Sequence, residues 1–313
     1  MARNEDDPRR FLDPKVIARI SQLELRARQV VEGFLVGQHK SPVYGQSVEF
    51  VKHREYMPGD DLRRIDWKVW SRSEKFVIKQ FEAETNLRSY VVVDASESML
   101  YGIDKHRTAG TMYKYDYAAT AAACLAYLTT KQQDSCGLIT FDESIRQVIP
   151  PRSSALHMDA VVKALHVSNP KAKTNPLEIM KQVAERLPSR GLVAVFSDFL
   201  CDREALFKGL EMLRHRRHDV MVFHILDDDE LTFPFSGMTR FEGLEEMPQL
   251  LCDPRSLRDG YLEALEEYLV EVRRGCTKIG VDYNLVRTSD YLDAVLSRFL
   301  FMRMAQRAAP ARK

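Results

Sequence analysis

The stretch Val91-Val92-Val93-Asp94-Ala95-Ser96-Glu97-Ser98-Met99 decides how the chain is read. Three consecutive β-branched apolar residues describe a strand covered on both faces, since a half-exposed strand would alternate apolar with polar. The strand runs into an acid and two hydroxyls at alternate positions. In an open doubly wound sheet, ligands bind beyond the carboxyl ends of the strands, where strand order reverses. Asp94, Ser96 and Ser98 are therefore candidate ligand-binding residues.

From Arg88 onward, strand-length and helix-length apolar runs alternate. Strands are expected at residues 90–93, 137–141, 145–149, 192–196, 220–226 and 281–286. Helices are expected at 113–131, 155–165, 176–187, 203–217, 254–274 and 291–304. That alternation predicts an α/β fold with a doubly wound, mostly parallel sheet. The gap between Phe141 and Ile145 is hairpin-sized, which makes 145–149 an antiparallel edge strand. Residues 227–254 hold neither period for long and form a small β insertion, and Ala118–Ala126 would let their helix approach the sheet closely. Residues 1–86 form an N-terminal appendage, with a helix at 14–36, an exposed strand in KFVIKQFEAE and the turn motif MPGDDLRRIDW. Residues 87–305 are the main domain and 306–313 a flexible tail.

Composition removes several function classes. The 46 Lys and Arg balance 45 Asp and Glu, so no global field draws the chain to nucleic acid or an anionic membrane. The five cysteines are odd in number, widely spaced and form no C-x-x-C pair, which disfavours a disulfide framework or zinc cluster. The N-terminus MARNEDDPRR is charged where a signal peptide is apolar, and no run approaches the ~20 apolar residues of a membrane helix. A cytoplasmic location is expected. Neither G-x-G-x-x-G nor G-x-x-x-x-G-K-[ST] occurs, so a nucleotide site of those types is not expected.

Two further oxygens can join the cluster on the same sheet edge: Asp198, ending the run GLVAVFSDF, and Thr174, in the loop KAKTNP. Carboxylates and hydroxyls together suit a hard cation such as Mg²⁺ or Mn²⁺. With two carboxylates and neutral hydroxyls, the ion would stay electrophilic and open to an outside anion.

D-x-S-x-S with a distant Thr and Asp resembles the metal-ion-dependent adhesion site (MIDAS) of von Willebrand factor A domains. The chain from Val43 to Tyr283 resembles one branch of that superfamily, the domain-of-unknown-function 58 (DUF58) proteins. The markers are EFVKHREYMPGDDLRRIDWKVWSR, VVVDASESM, DSCGLITFD, VIPPR and FSDF, in that order. The resemblance implies that Ser96, Ser98 and Thr174 bind Mg²⁺ directly, while Asp94 and Asp198 act directly or through water. It also implies a MoxR-type AAA+ ATPase as associate, in chaperone-like maturation of a client protein that supplies an acidic side chain.

Other clusters admit two readings each. Asp60, Asp61 and Asp66 could form a nuclease-like set. The plainer reading is a turn at Pro58-Gly59 and a helix cap at Asp60 or Asp61, with Trp67 and Trp70 as anchors. Leu213–His218 could touch nucleic acid, but cations at a helix C-terminus explain that run as solvated end charges. A metal-dependent hydrolase remains the competing function, with only His106 or Glu97 available as a base. A non-enzymatic adaptor is the preferred expectation.

Overall fold

The computed structural model describes residues 48–57, 65–73, 75–83, 88–102, 112–131, 134–167, 176–187, 190–241 and 250–296. The expected helix at 14–36 and the tail lie outside these residues, as do Asp60, Asp61, His106 and Thr174. The chain divides into two compact units, one spanning Phe34–Asn86 and the other continuing from Leu87.

In the first unit, β1 (Val48–Glu55) pairs antiparallel with β2 (Val77–Ala83), and α1 (Trp67–Ser73) lies between them in sequence. The sequence analysis expected a cap at Asp60 or Asp61, which lie outside the described residues, and did not give the bounds of α1. Its N-terminus is capped by Asp66, whose Oδ1 accepts from Lys68 N at 3.0 Å and Val69 N at 3.3 Å. Trp70 stacks on Phe76 with ring centroids 5.9 Å apart and meets Trp67 edge-on at 6.1 Å.

The second unit is an α/β domain. In order it comprises β3 (Arg88–Asp94), α2 (Lys114–Lys131), β4 (Ser135–Phe141), β5 (Ile145–Arg152), α3 (Ala155–Val167), α4 (Pro176–Arg186), β6 (Leu192–Ser197), α5 (Arg203–His215) and β7 (Asp219–Leu226). There follow the short α6 (Asp228–Thr232), the hairpin β8 (Thr239–Phe241) and β9 (Leu250–Cys252), α7 (Pro254–Ile279) and β10 (Asp282–Arg287). Residues 292–296 are helical; the remainder of the expected last helix is outside the described residues.

Six strands form one sheet in the order β10-β7-β6-β3-β4-β5. All neighbours are parallel except β5, which pairs antiparallel with β4 at the edge. This is the doubly wound, mostly parallel sheet expected from the alternation. Because helices cover both faces, alternate residues of β3 enter opposite cores. Val91 and Val93 pack with the alanines of α2, whereas Tyr90 and Val92 pack with residues of α4 and α5. Ala118, Ala119, Ala122, Ala123 and Ala126 are fully buried, and their small side chains seat α2 close to the sheet.

Several boundaries shift from the sequence pattern, and at three of them the structure gives a local reason. β5 continues through Pro150-Pro151 to Arg152, because an edge strand has no partner on one side for the missing N–H groups. α7 passes through Gly275, where a Cβ would lie 2.2 Å from the Phe207 ring, so this glycine serves close helix packing rather than a helix end. α7 stops instead at Gly280, in the left-handed region at φ 77°. α5 ends at His215, with Arg217 left-handed at φ 64°. His215, Arg216 and Arg217 are exposed end charges, but His218 is buried and Arg214 turns back to His218 O at 2.8 Å and Asp219 at 2.9 Å.

Candidate metal centre

Strand order reverses beside β3, whose neighbours are β4 on one side and β6 on the other. Asp94 is the last residue of β3, and Asp198 directly follows β6. The sheet thus brings together two carboxylates that are about a hundred residues apart in sequence.

Beyond Asp94, Ala95 N still donates to Phe141 O at 2.6 Å, extending the pairing with β4 by one residue. The chain then enters a single 3₁₀ turn, Glu97–Leu100, with Ser96 as its N-cap. An N-cap serine ordinarily accepts a hydrogen bond from the turn it starts. Ser96 does not: its hydroxyl makes no cap bond. It lies 3.0 Å from Ser98 Oγ and also hydrogen-bonds Asp94, whose Oδ1 accepts from Ser96 N at 2.9 Å. Ser98 helps to hold the Asp198 carboxyl down. Asp94, Ser96 and Ser98 form one hydrogen-bonded cluster, Asp198 lines the same pocket beside them, and all four are buried. Thr174 lies outside the described residues, and Glu97 is half-buried on the turn.

Ser197, Lys114 and Glu230 complete the site, together with a bend at Phe199. Ser197 donates to Asp94 Oδ2 at 2.5 Å and accepts from Phe199 N at 3.0 Å. Phe199 sits at φ 49°, an uncommon conformation for a bulky residue, and this bends the chain after β6 so that Asp198 turns into the cluster. Lys114, the first residue of α2, places Nζ 2.7 Å from Asp198 Oδ2 and 2.7 Å from Glu230 Oε1. Its side chain has no solvent exposure. Each left a signal in the sequence. Ser197 lies within FSDF. Glu230 stands three residues after Asp227 in a capping-box pattern, and the box is formed. Lys114 is a cation at a helix N-terminus, against the helix dipole.

The electrostatics are unequal. Burial, reinforced by the negative charge of Asp198, pushes Asp94 up to about 7, against the hydrogen bonds from Ser197 and Ser96. Burial also acts to raise Asp198, but the Lys114 ammonium outweighs it and holds that carboxyl below its ordinary value. Asp94 is thus a buried carboxylate that pairs with no cation among the described residues. The side chains that hydrogen-bond within its cluster, Ser96, Ser98 and Ser197, supply oxygens, which fit a hard divalent ion rather than zinc. Among the described residues no three His, Cys, Asp or Glu side chains gather as a metal cluster; the set here is two carboxylates and two hydroxyls. The cluster lines a small pocket of about 20 Å³, whose other wall includes Met180, Phe199 and Leu206.

Fold and site together define a doubly wound α/β domain with an oxygen-lined pocket at the reversal of strand order. Residues 52–268 match the family described as protein of unknown function DUF58, and the chain belongs to that family. The uncharacterized protein Rv1480 of Mycobacterium tuberculosis is 26% identical over 302 residues, covering 93% of this chain and 90% of that protein. Among solved structures, the conserved hypothetical protein BatB from Bacteroides thetaiotaomicron aligns with TM-score 0.45 and 14% identity, over 71% of this chain and 98% of that one. The SpRpn10 VWA domain aligns with TM-score 0.37 and 13% identity, over 67% and 93%. Among the described residues, no helix is long and apolar enough to cross a membrane.

Proposed function

We propose that this protein is a non-enzymatic, metal-dependent interaction adaptor of the cytoplasm. In this reading Asp94, Ser96, Ser98, Thr174 and Asp198 hold Mg²⁺ or Mn²⁺. The bound ion would supply an electrophilic position for a carboxylate from a partner protein. The observation that supports it is the gathering of Asp94, Ser96, Ser98 and Asp198 on one pocket, with Asp94 buried and paired with no cation among the described residues.

The chain's own residues prepare the site in separate ways. Ser197 orients Asp94, the 3₁₀ turn presents the two hydroxyls side by side, and the bend at Phe199 aims Asp198. The pocket gives an outside side chain a way in. The family resemblance supports a MoxR-type AAA+ ATPase as associate and a client protein as the source of the acid, in chaperone-like maturation. Nucleic acid is not an expected partner.

The deciding comparison is wild type against Asp94→Ala, each tested for capture of the MoxR-type ATPase with Mg²⁺ or with chelator. Phosphatase and nuclease turnover on generic substrates is measured alongside. Capture that needs the metal and is lost in the variant supports an adaptor. Metal-dependent turnover lost in the same variant would replace that reading with a hydrolase.

A further inference from the structure

Lys114 occupies a position that is costly twice over. Its ammonium is wholly buried, and it sits at the positive end of the α2 dipole. Two carboxylates offset that cost, Asp198 and Glu230, each at 2.7 Å. Glu230 is itself fixed: Oε2 accepts from Asp227 N at 2.7 Å, and its backbone oxygen accepts from Tyr261 Oη at 2.9 Å. Asp227 is held by Thr288, whose hydroxyl donates to Oδ2 at 2.7 Å. The Tyr101 ring closes a further side, 5.6 Å from Nζ. The Lys114 side chain has no solvent exposure, and Asp198, the carboxylate it shares with the candidate metal centre, is buried against it.

We propose that Lys114 is a resident cation of the site that competes with the divalent ion for Asp198, keeping the centre folded without metal and lowering its affinity so that the metal can exchange. The proposal rests on the metal-binding reading above and adds a positioning residue to it. The charges agree with such a role. Asp94, Asp198 and Glu230 against Lys114 leave two negative charges, which one divalent ion neutralises. Lys114 engages Asp198 Oδ2, while Oδ1 accepts from Leu200 N at 3.3 Å, so Asp198 presents one oxygen that is not already held by a cation. Glu230 then sets the strength of the competition. By sharing the ammonium it draws part of the positive charge away from the metal side.

The test is titration of Mn²⁺ alone into the metal-free, full-length protein by isothermal calorimetry, using wild type, Glu230→Gln and the double variant Lys114→Met/Glu230→Gln. Replacing a buried pair by neutral groups of similar volume is commonly tolerated. Competition by Lys114 requires opposite shifts. Glu230→Gln concentrates the ammonium on Asp198 and weakens Mn²⁺ binding about threefold or more. The double variant removes the competitor together with the carboxylate that shares it; the ammonium in contact with Asp198 is the nearer of the two charges, so its loss prevails and binding tightens by about tenfold, well below the uncompensated effect of one charge beside a divalent ion. A purely structural ion pair would move both variants the same way or neither, and either result overturns the proposal while leaving the metal site standing. Binding by the double variant alone supports it, with wild type then fully blocked. If no variant binds Mn²⁺, the metal reading fails and the proposal with it. Should the double variant not fold by circular dichroism, Glu230→Gln decides alone: weaker binding supports competition, and unchanged or tighter binding overturns it.

Discussion

Ser197 Oγ donates to Asp94 Oδ2 at 2.5 Å, joining two strand ends that are 103 residues apart in sequence. The same oxygen accepts from Phe199 N at 3.0 Å, so one hydroxyl both orients a candidate ligand and holds the left-handed bend that aims the other. Removing it leaves a buried N–H and a buried carboxylate oxygen each short of a partner. Ser197→Ala should cost about 1–3 kcal/mol in urea-monitored stability. The variant should also bind Mn²⁺ more weakly, because Asp94 and Asp198 lose a common brace. Wild-type stability and affinity in this variant would show that the hydroxyl is dispensable.

Metal removal should make stability depend on pH through Asp94. Its folded value, about 7, lies above the ordinary 3.8, so the folded state holds the proton more tightly than the unfolded chain. The contribution is therefore fully present below about 3.8 and is lost as pH rises through about 7. In chelator, wild type should lose thermal stability over that window relative to Asp94→Asn, which keeps the shape and removes the charge. Saturating Mg²⁺ at pH 7.5 should restore wild type and leave Asp94→Asn unmoved. Equal slopes for the two proteins would mean that burial does not burden this carboxyl.

The sheet was legible because fully buried strands announce themselves. VVV (91–93) and LVAVF (192–196) are unbroken apolar runs, and each entered the sheet centre with helices on both faces. Alternation does not record what a special residue is for. Gly275 looks like a helix end and is a packing contact with Phe207. Pro150-Pro151 looks like a strand end and lies within an edge strand. The candidate site divides the same way. Asp94, Ser96, Ser98 and Asp198 were readable because strand ends on one edge must converge. Lys114 and Glu230 were not, since their partnership depends on how the start of α2 meets the start of α6, which no local pattern encodes.

Core packing between adjacent strands gives a prediction independent of the site. Phe196 and Phe223 are register partners on β6 and β7, with rings parallel within 3° and centroids 4.6 Å apart. Both are buried. Phe223→Ala should cost about 3–5 kcal/mol, because a ring-sized void forms where neither strand can move inward. Phe223→Leu should cost less. Leu156→Ala, at a side chain 82% exposed, should stay within about 0.5 kcal/mol. Chemical unfolding of the three variants ranks them, and a Phe223→Ala cost below that of Phe223→Leu would contradict the packing described.

His224 should give a slope of the opposite sign to Asp94. It is fully buried on β7 with Nδ1 2.8 Å from Tyr283 Oη. Burial is the main cause that depresses it from 6.5 to about 4, against the opposing pull of Asp198. A depressed folded value means that the unfolded chain takes the proton first, so stability is complete above about 6.5 and falls as pH drops through about 4. Over that range the loss is on the order of 3 kcal/mol. The Asp94 effect gains stability on acidification across much of the same range, so a bare pH profile of the metal-free protein mixes the two. Holding Mg²⁺ saturating suppresses the Asp94 contribution, and His224→Gln removes the other. Under that condition wild type should destabilise between pH 6.5 and 4 more steeply than His224→Gln, while parallel profiles would show that the imidazole is protonated in the fold.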